Sequence, residues 1–210
     1  VKRFTDSPFL VSLEERDGGY VPGKFLTAAD LPAHADSTDA AFKTVMWDDA
    51  TGAPAIPNGT MGHRYNEEGL GEWNLDLGDI KPALTLLDGE GTTNVEVALP
   101  CFEDPKGVGS IIRRGVPARM VDGQLVTTVF DLMLAQYGVG RDGLPGDWPT
   151  GYDDPSTPAT PAWQEEITGV PAAAAAQVGR EFARNAIDSG GRSMIVMGAG
   201  ANHWFHSDTI

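Results

Sequence analysis

Residues 171–200 restrict the fold more than any other stretch. They run from an amphipathic segment, PAAAAAQVGREFARNAIDSGG, through a continuous apolar segment, RSMIVMG, to two closely spaced glycines, Gly198 and Gly200. Ala175, Val178, Phe182 and Ala186 line one helical face, and Gly190-Gly191 ends the pattern. Pro171 falls in the first turn, where its fixed φ suits a helix start. An apolar run without polar interruption suits a strand covered on both sides, as in parallel sheets. Helix, buried strand and glycine loop make half of an α/β unit. The expected fold class is therefore mixed α/β, with a helix over 171–187 and a parallel strand over 193–198.

Two more helices are expected upstream. TPAWQEEIT predicts one over 161–167, broken from the next at Thr168-Gly169. VTTVFDLMLAQYG predicts one over 128–137, capped by Thr127 or Thr128, with Phe130, Met133, Leu134 and Tyr137 at helical spacing. Val129 and Leu132 widen its apolar face, so it should be largely buried. Between these helices, GRDGLPGDWPTGYDDPSTPATP has no periodicity. A loop this long covers a site, contacts another segment or is disordered, and Trp148 and Tyr152 argue against disorder. Asp153 and Asp154 read as turn residues.

Near the start, Pro8 to Leu13 predicts a strand, EERDGG a turn, and YVPGKFLTAADL a second segment. A short helix is entered near Thr27, with Asp30 at capping-box spacing. From Pro32 to about Asp122 the chain is rich in Gly, Pro and Asp, with brief strand candidates at 43–47, 95–99 and 110–114. Irregular, strand-poor structure is expected there.

The formal charge of −15 repels phosphate backbones and anionic lipid, which weighs against nucleic-acid binding and peripheral membrane binding. A single cysteine, Cys101, excludes an intrachain disulfide framework or a cysteine-rich metal site, and reads as a small buried hydrophobe. No apolar run reaches the length of a bilayer span, and no signal peptide is visible. Asn58-Gly59-Thr60 reads as a turn rather than a glycosylation site. The chain starts at Val1 and stops at Ile210 without a polar tail, and reads as a piece of a longer protein.

The chemistry gathers after the last strand. Gly198-Ala199-Gly200 would place backbone N–H groups at the carboxyl edge of a sheet, where open α/β sheets bind ligands. Spacing alone leaves a structural turn and a ligand loop both open, since the third glycine of the dinucleotide fingerprint is missing. Asn202, His203 and His206 add donors and acceptors, and Trp204 a flat apolar face. That set suits a heterocyclic cofactor with a phosphate arm. The competing reading puts Trp204 and Phe205 in a core, with the histidines on backbone carbonyls. Two histidines three apart with only Asp208 nearby make a poor metal site, so no metal ligand is assigned.

Eight ordered blocks carry a family resemblance. They are RFTDSPFLVSLEERDGG (3–19), PNGTMGHR (57–64), EWNLDLG (72–78), VTTVFDLMLAQYG (126–138), GYDD (151–154), TPAWQEEITGVP (160–171), GREFARNA (179–186) and GRSMIVMGAGANHWFHSD (191–208). From end to end the chain resembles the catalytic alpha subunit of membrane-bound respiratory nitrate reductase, within the dimethyl sulfoxide reductase superfamily. Departures are mild, such as Gly179 for alanine and Phe4 and Phe205 at tyrosine positions.

The resemblance implies a partial molybdopterin-oxidoreductase fold. Residues 1–122 would be its irregular part and 123–210 its cofactor-binding α/β part. It implies reduction of nitrate to nitrite at a bis(molybdopterin guanine dinucleotide) molybdenum centre, with a [4Fe-4S] cluster whose ligands, like the molybdenum ligand, lie outside this stretch. Partners would be an iron–sulfur beta subunit and a quinol-oxidising membrane gamma subunit at the cytoplasmic face of the cell membrane. Gly198 and Gly200 would bring backbone to the cofactor. Asn202 and His203 would hydrogen-bond its pterin or phosphate groups, and Trp204 and His206 would pack or orient the site. This stretch alone would be inactive, and Arg64 reads as structural. Competing readings are a related chlorate, perchlorate or selenate reductase, and a non-catalytic α/β binding module.

Overall fold

A computed structural model describes residues 5–57, 76–101 and 111–196. The fold mixes helix and strand around a closed five-stranded barrel. Its first hairpin joins β1 (Leu10–Arg16) to β2 (Gly19–Phe25), with Arg16 opposite Gly19. The two turn residues, Asp17 and Gly18, both have positive φ, the geometry that matches the twist of paired strands and explains the Asp-Gly pair. A small ribbon follows, β3 (Met46–Asp48) on β4 (Ala53–Ala55).

Next, β5 (Thr93–Pro100) pairs antiparallel with β6 (Ile111–Val121), which turns through Asp122-Gly123, again at positive φ, into β7 (Gln124–Thr128). The barrel closes where β7 pairs with β1 and where Tyr20 of β2 meets Val97 of β5 in parallel. Closure leaves this sheet no free edge. Leu13, Val97, Leu99, Val116 and Ala118 fill one cluster, and Leu10, Leu26, Val45, Leu86 and Val126 another beneath the 26–50 and 76–88 segments. At Thr27 the expected capping box forms: Asp30 accepts from the Thr27 backbone N–H and hydroxyl, at 2.9 and 2.8 Å.

Three helices follow: α1 (Val129–Gln136), α2 (Pro161–Thr168) and α3 (Ala172–Asp188). Thr128 caps α1 by accepting from the Asp131 N–H, and Thr160 caps α2 by accepting from the Trp163 N–H. Gly169 ends α2 in the left-handed region.

The expectations need three corrections. Residues 32–122 are not strand-poor, since β5 and β6 pair there over eight positions. The stretch Arg114–Ala118 of β6 is buried on both sides, which erases the alternation that would have marked it. α1 is half-buried: Asp131 and Ala135 face inward while Met133 and Tyr137 are exposed. Lastly, the expected parallel strand over 193–198 is not formed across its described part. Residues 193–196 have no strand pairing, and Met194, Ile195 and Val196 are exposed. The barrel is closed and offers that segment no edge to join.

Candidate functional site

The residues expected to meet a cofactor, Gly198, Gly200, Asn202, His203, Trp204 and His206, lie outside the described residues, as does Arg64. The described chain does set the approach to that loop. α3 stops at Ser189, whose N–H donates to the Asn185 carbonyl, and Gly190 and Gly191 take positive φ to reverse the chain. Asn185 then staples the returning strand of chain: its side-chain amide donates to the Arg192 carbonyl at 3.0 Å and to the Ser193 hydroxyl at 2.9 Å. Ser193 donates in turn to the Phe182 carbonyl at 2.9 Å. Arg192 and Ser193 are thus fixed against the last two turns of α3.

A cleft of about 610 Å³ separates α3 from the chain that follows α1. Tyr137, Gly140 and Tyr152 line one side, and Ala176, Gly179 and Arg180 the other. One wall is held in shape by Asp154, which accepts from the Thr150 and Ser156 N–H groups and the Ser156 and Thr157 hydroxyls, at 2.6 to 3.1 Å. Led by the Ser156 hydroxyl, these donors hold its carboxyl well below the usual aspartate range. Four donors on one carboxylate make Asp154 the organiser of the loop, as a turn residue should be. Its own carbonyl accepts from Thr160 Oγ1, which ties the loop to the cap of α2.

Two cations, one buried and one half-buried, went unread in the sequence. Arg114 on β6 is 1% exposed and donates through Nε to the Asp147 carbonyl and through Nη1 to the Ala135 and Gln136 carbonyls, at 2.8, 2.7 and 3.0 Å. Burial pulls its pKa down, while Cys101 and Asp147 oppose that shift. A guanidinium at the C-terminus of α1 satisfies carbonyls that the helix leaves free and complements its dipole. The 145–147 chain lies so close to β6 that a Cβ on Gly115 would stand 2.4 Å from Pro145 Cδ, so only glycine fits. Arg114 also stacks over Trp148, 5.6 Å from the ring centre.

The second cation, Arg141, donates to Asp131 at 2.7 Å and to Thr85 at 2.9 Å. Asp131 is fully buried and also accepts from the Thr85 hydroxyl and the Leu86 N–H. Thr128 with Asp131 three residues on was a readable capping signal for this pair; nothing comparable announced Arg114. Arg114 thus binds the end of α1 and the following loop to the barrel, and Arg141 binds that loop to α1 and to the 76–88 segment. Cys101, expected to be buried, is half-buried. Among the described residues no group of three His, Cys, Asp or Glu side chains could hold a metal ion.

No protein-family model matches the chain. Over its whole length it is 54% identical to the nitrate reductase alpha subunit of Mycobacterium tuberculosis (strain H37Rv), covering 17% of that protein. It is 40% identical to the respiratory nitrate reductase 1 alpha chain of Escherichia coli (strain K12), over 99% of the chain and 18% of that protein. The perchlorate reductase alpha subunit of Dechloromonas aromatica (strain RCB) is 25% identical over the whole chain and 18% of its own length. The chain thus spans under a fifth of the length of these relatives. Along essentially its whole length, at 40 and 54% identity, the chain is similar to part of the nitrate reductase alpha subunits.

Proposed function

We propose that this chain is part of the catalytic subunit of a respiratory nitrate reductase, contributing one wall of a bis(molybdopterin guanine dinucleotide) site. The carrying observation is 54% identity across the full chain to a nitrate reductase alpha subunit. In this reading the partial molybdopterin-oxidoreductase fold has its cofactor part in 123–210, and residues 193–198 join a parallel sheet supplied elsewhere in the subunit. The donor set fits the group. A carboxamide and two imidazoles offer hydrogen bonds to pterin and phosphate, local donors that can hold an anionic group despite a net charge of −15.

Asn202 and His203 would donate to pterin or phosphate oxygens, with backbone at Gly198 and Gly200 in close approach. Trp204 would exclude water from the ring system, and His206 would orient its neighbours. When bound, the molybdenum centre supplies the oxygen-atom transfer that turns nitrate into nitrite. Its metal and [4Fe-4S] ligands would lie outside this stretch, which alone would be inactive. Electrons would come from quinol through a membrane gamma subunit and an iron–sulfur beta subunit at the cytoplasmic face. Among the described residues no helix is long and apolar enough to cross a membrane.

The test is Asn202→Ala and His203→Ala in the full-length enzyme. Groups that orient a metal centre commonly carry about 10- to 100-fold in metal affinity or activity, so molybdenum content or nitrate reduction should fall on that scale. Both variants unchanged in both measurements would sink the loop assignment. A perchlorate reductase is the second reading, supported by the 25% match. It predicts a higher kcat/KM for perchlorate than for nitrate in the holoenzyme.

A further inference from the structure

We propose that the apolar face of α3, continued by Met194, Ile195 and Val196, is an interface for another segment of the same polypeptide outside these 210 residues. The proposal rests on the chain being part of a larger subunit, but not on the cofactor. α3 is a 17-residue helix with no buried residue. Ala175, Val178, Phe182, Ala186 and Ile187 fall within one half of its circumference, and Gln177, Arg180, Glu181 and Arg184 within the other. Yet Val178 is 67% exposed and Ile187 80%. Helices of this length draw most of their stability from packing such a face.

Although its start bonds Glu165 of α2, the helix stands off Tyr137 and Gly140 across the 610 Å³ cleft. Because Asn185 and Ser193 staple the returning chain to the helix, the exposed run Met194–Val196 extends the same surface. An exposed apolar surface of this extent marks a contact site.

Three observations select the occupant. Relatives match essentially the whole chain, yet it accounts for only 17 to 18% of their length, so most of each relative is available to cover this face. A second copy would bring another −15 charge to the contact, which opposes self-association. Finally, successive apolar residues at 194–196 need cover on both faces and backbone partners, and the closed barrel supplies neither. The occupant is therefore an apolar, sheet-forming segment of the subunit.

The test uses the full-length protein with Val178→Asp and Ile187→Asp, against Gln177→Asp as a control on the polar half. A charge forced into a covered contact should lower Tm by more than about 5 °C or abolish soluble protein, while the control stays within about 2 °C. Should both variants behave like the control, the face is solvent-facing and the proposal fails. It also fails if Val178→Asp halves the native mass at unchanged Tm, the mark of a second copy. Where the variants do not fold, hydrogen peroxide on the unaltered protein decides. Met194 should oxidise about tenfold more slowly than in a free peptide spanning 190–197, and equal rates would overturn the proposal. Neither readout involves molybdenum, so failure of the cofactor reading leaves this one standing.

Discussion

The barrel and the α2–α3 arm use the same kinds of residue to opposite ends. In the barrel, Leu10, Val97, Val116 and Val126 have no exposed area, and every strand finds its partners within the chain. In the arm, neither helix buries a residue, and the most apolar segment, 194–196, stands exposed. The arm carries an amphipathic pattern of its own, yet no described residue buries its apolar face. Periodicity says which face will be buried; it does not say that the burying surface belongs to the same stretch of sequence.

The largest break in that comparison is expected at the barrel's junction with α1. Asp131→Ala strips Arg141 of its carboxylate, leaving Thr85 as its remaining hydrogen-bond partner, while Arg141 Nε and Nη2 are already buried without partners. Removing one member of a buried pair typically costs about 3–5 kcal/mol. Urea unfolding of the 210-residue chain should register a loss on that scale. A loss below about 1 kcal/mol would mean that the pair is solvated and that α1 is not held by it.

A smaller effect is expected at the arm's root. Thr160→Ala removes the cap of α2 and the hydroxyl that binds the Asp154 carbonyl, and caps are worth about 1 kcal/mol. Amide exchange should rise locally at Trp163 and Gln164, with the barrel amides unchanged. Uniform acceleration would show that arm and barrel unfold as one unit.

The same loop has a pH signature. The Asp154 carboxyl titrates below its ordinary value of 3.8, so its contribution is complete above that value and is lost as pH falls toward the lowered folded pKa. Exchange at Trp163 and Gln164 should therefore climb relative to the barrel amides below about pH 4. In Asp154→Asn it should be raised already at pH 7 and show no such acid climb. An acid climb of equal size in Asp154→Asn would assign it to other carboxylates.

Legibility in the sequence follows the same division. Where a signal is local, it was readable: the Asp-Gly turn after β1, the Thr27–Asp30 box, and the bounds of α2 and α3 to within a residue. Signals that depend on remote covering were not. β6 holds Gly115 and Pro117, poor strand formers by propensity, beside three arginines, and becomes a strand because β5, β7 and the 145–147 chain enclose it. Arg114 reads as a surface residue until three carbonyls converge on it. Residues 193–196 read as a buried strand for sound reasons, but among the described residues no sheet takes them in. The reading of Gly198 to His206 as a cofactor loop rests on its family blocks alone, since those residues lie outside the described ones.

The smallest expected effect is the most discriminating between the two regions. Val178→Ala removes two methyl groups from an α3 position that is already two-thirds exposed. In the 210-residue chain it should change stability by no more than about 0.5 kcal/mol, as surface substitutions do, aided by the better helix propensity of alanine. A comparable trim inside the barrel, Val126→Ala at a position with no exposed area, removes the same atoms and leaves a cavity, costing more than about 1 kcal/mol. If the two losses prove equal in the isolated chain, α3 is packed against the barrel in solution and the contrast drawn here disappears. If they differ there but converge in the full-length protein, the second surface has arrived from elsewhere in the subunit.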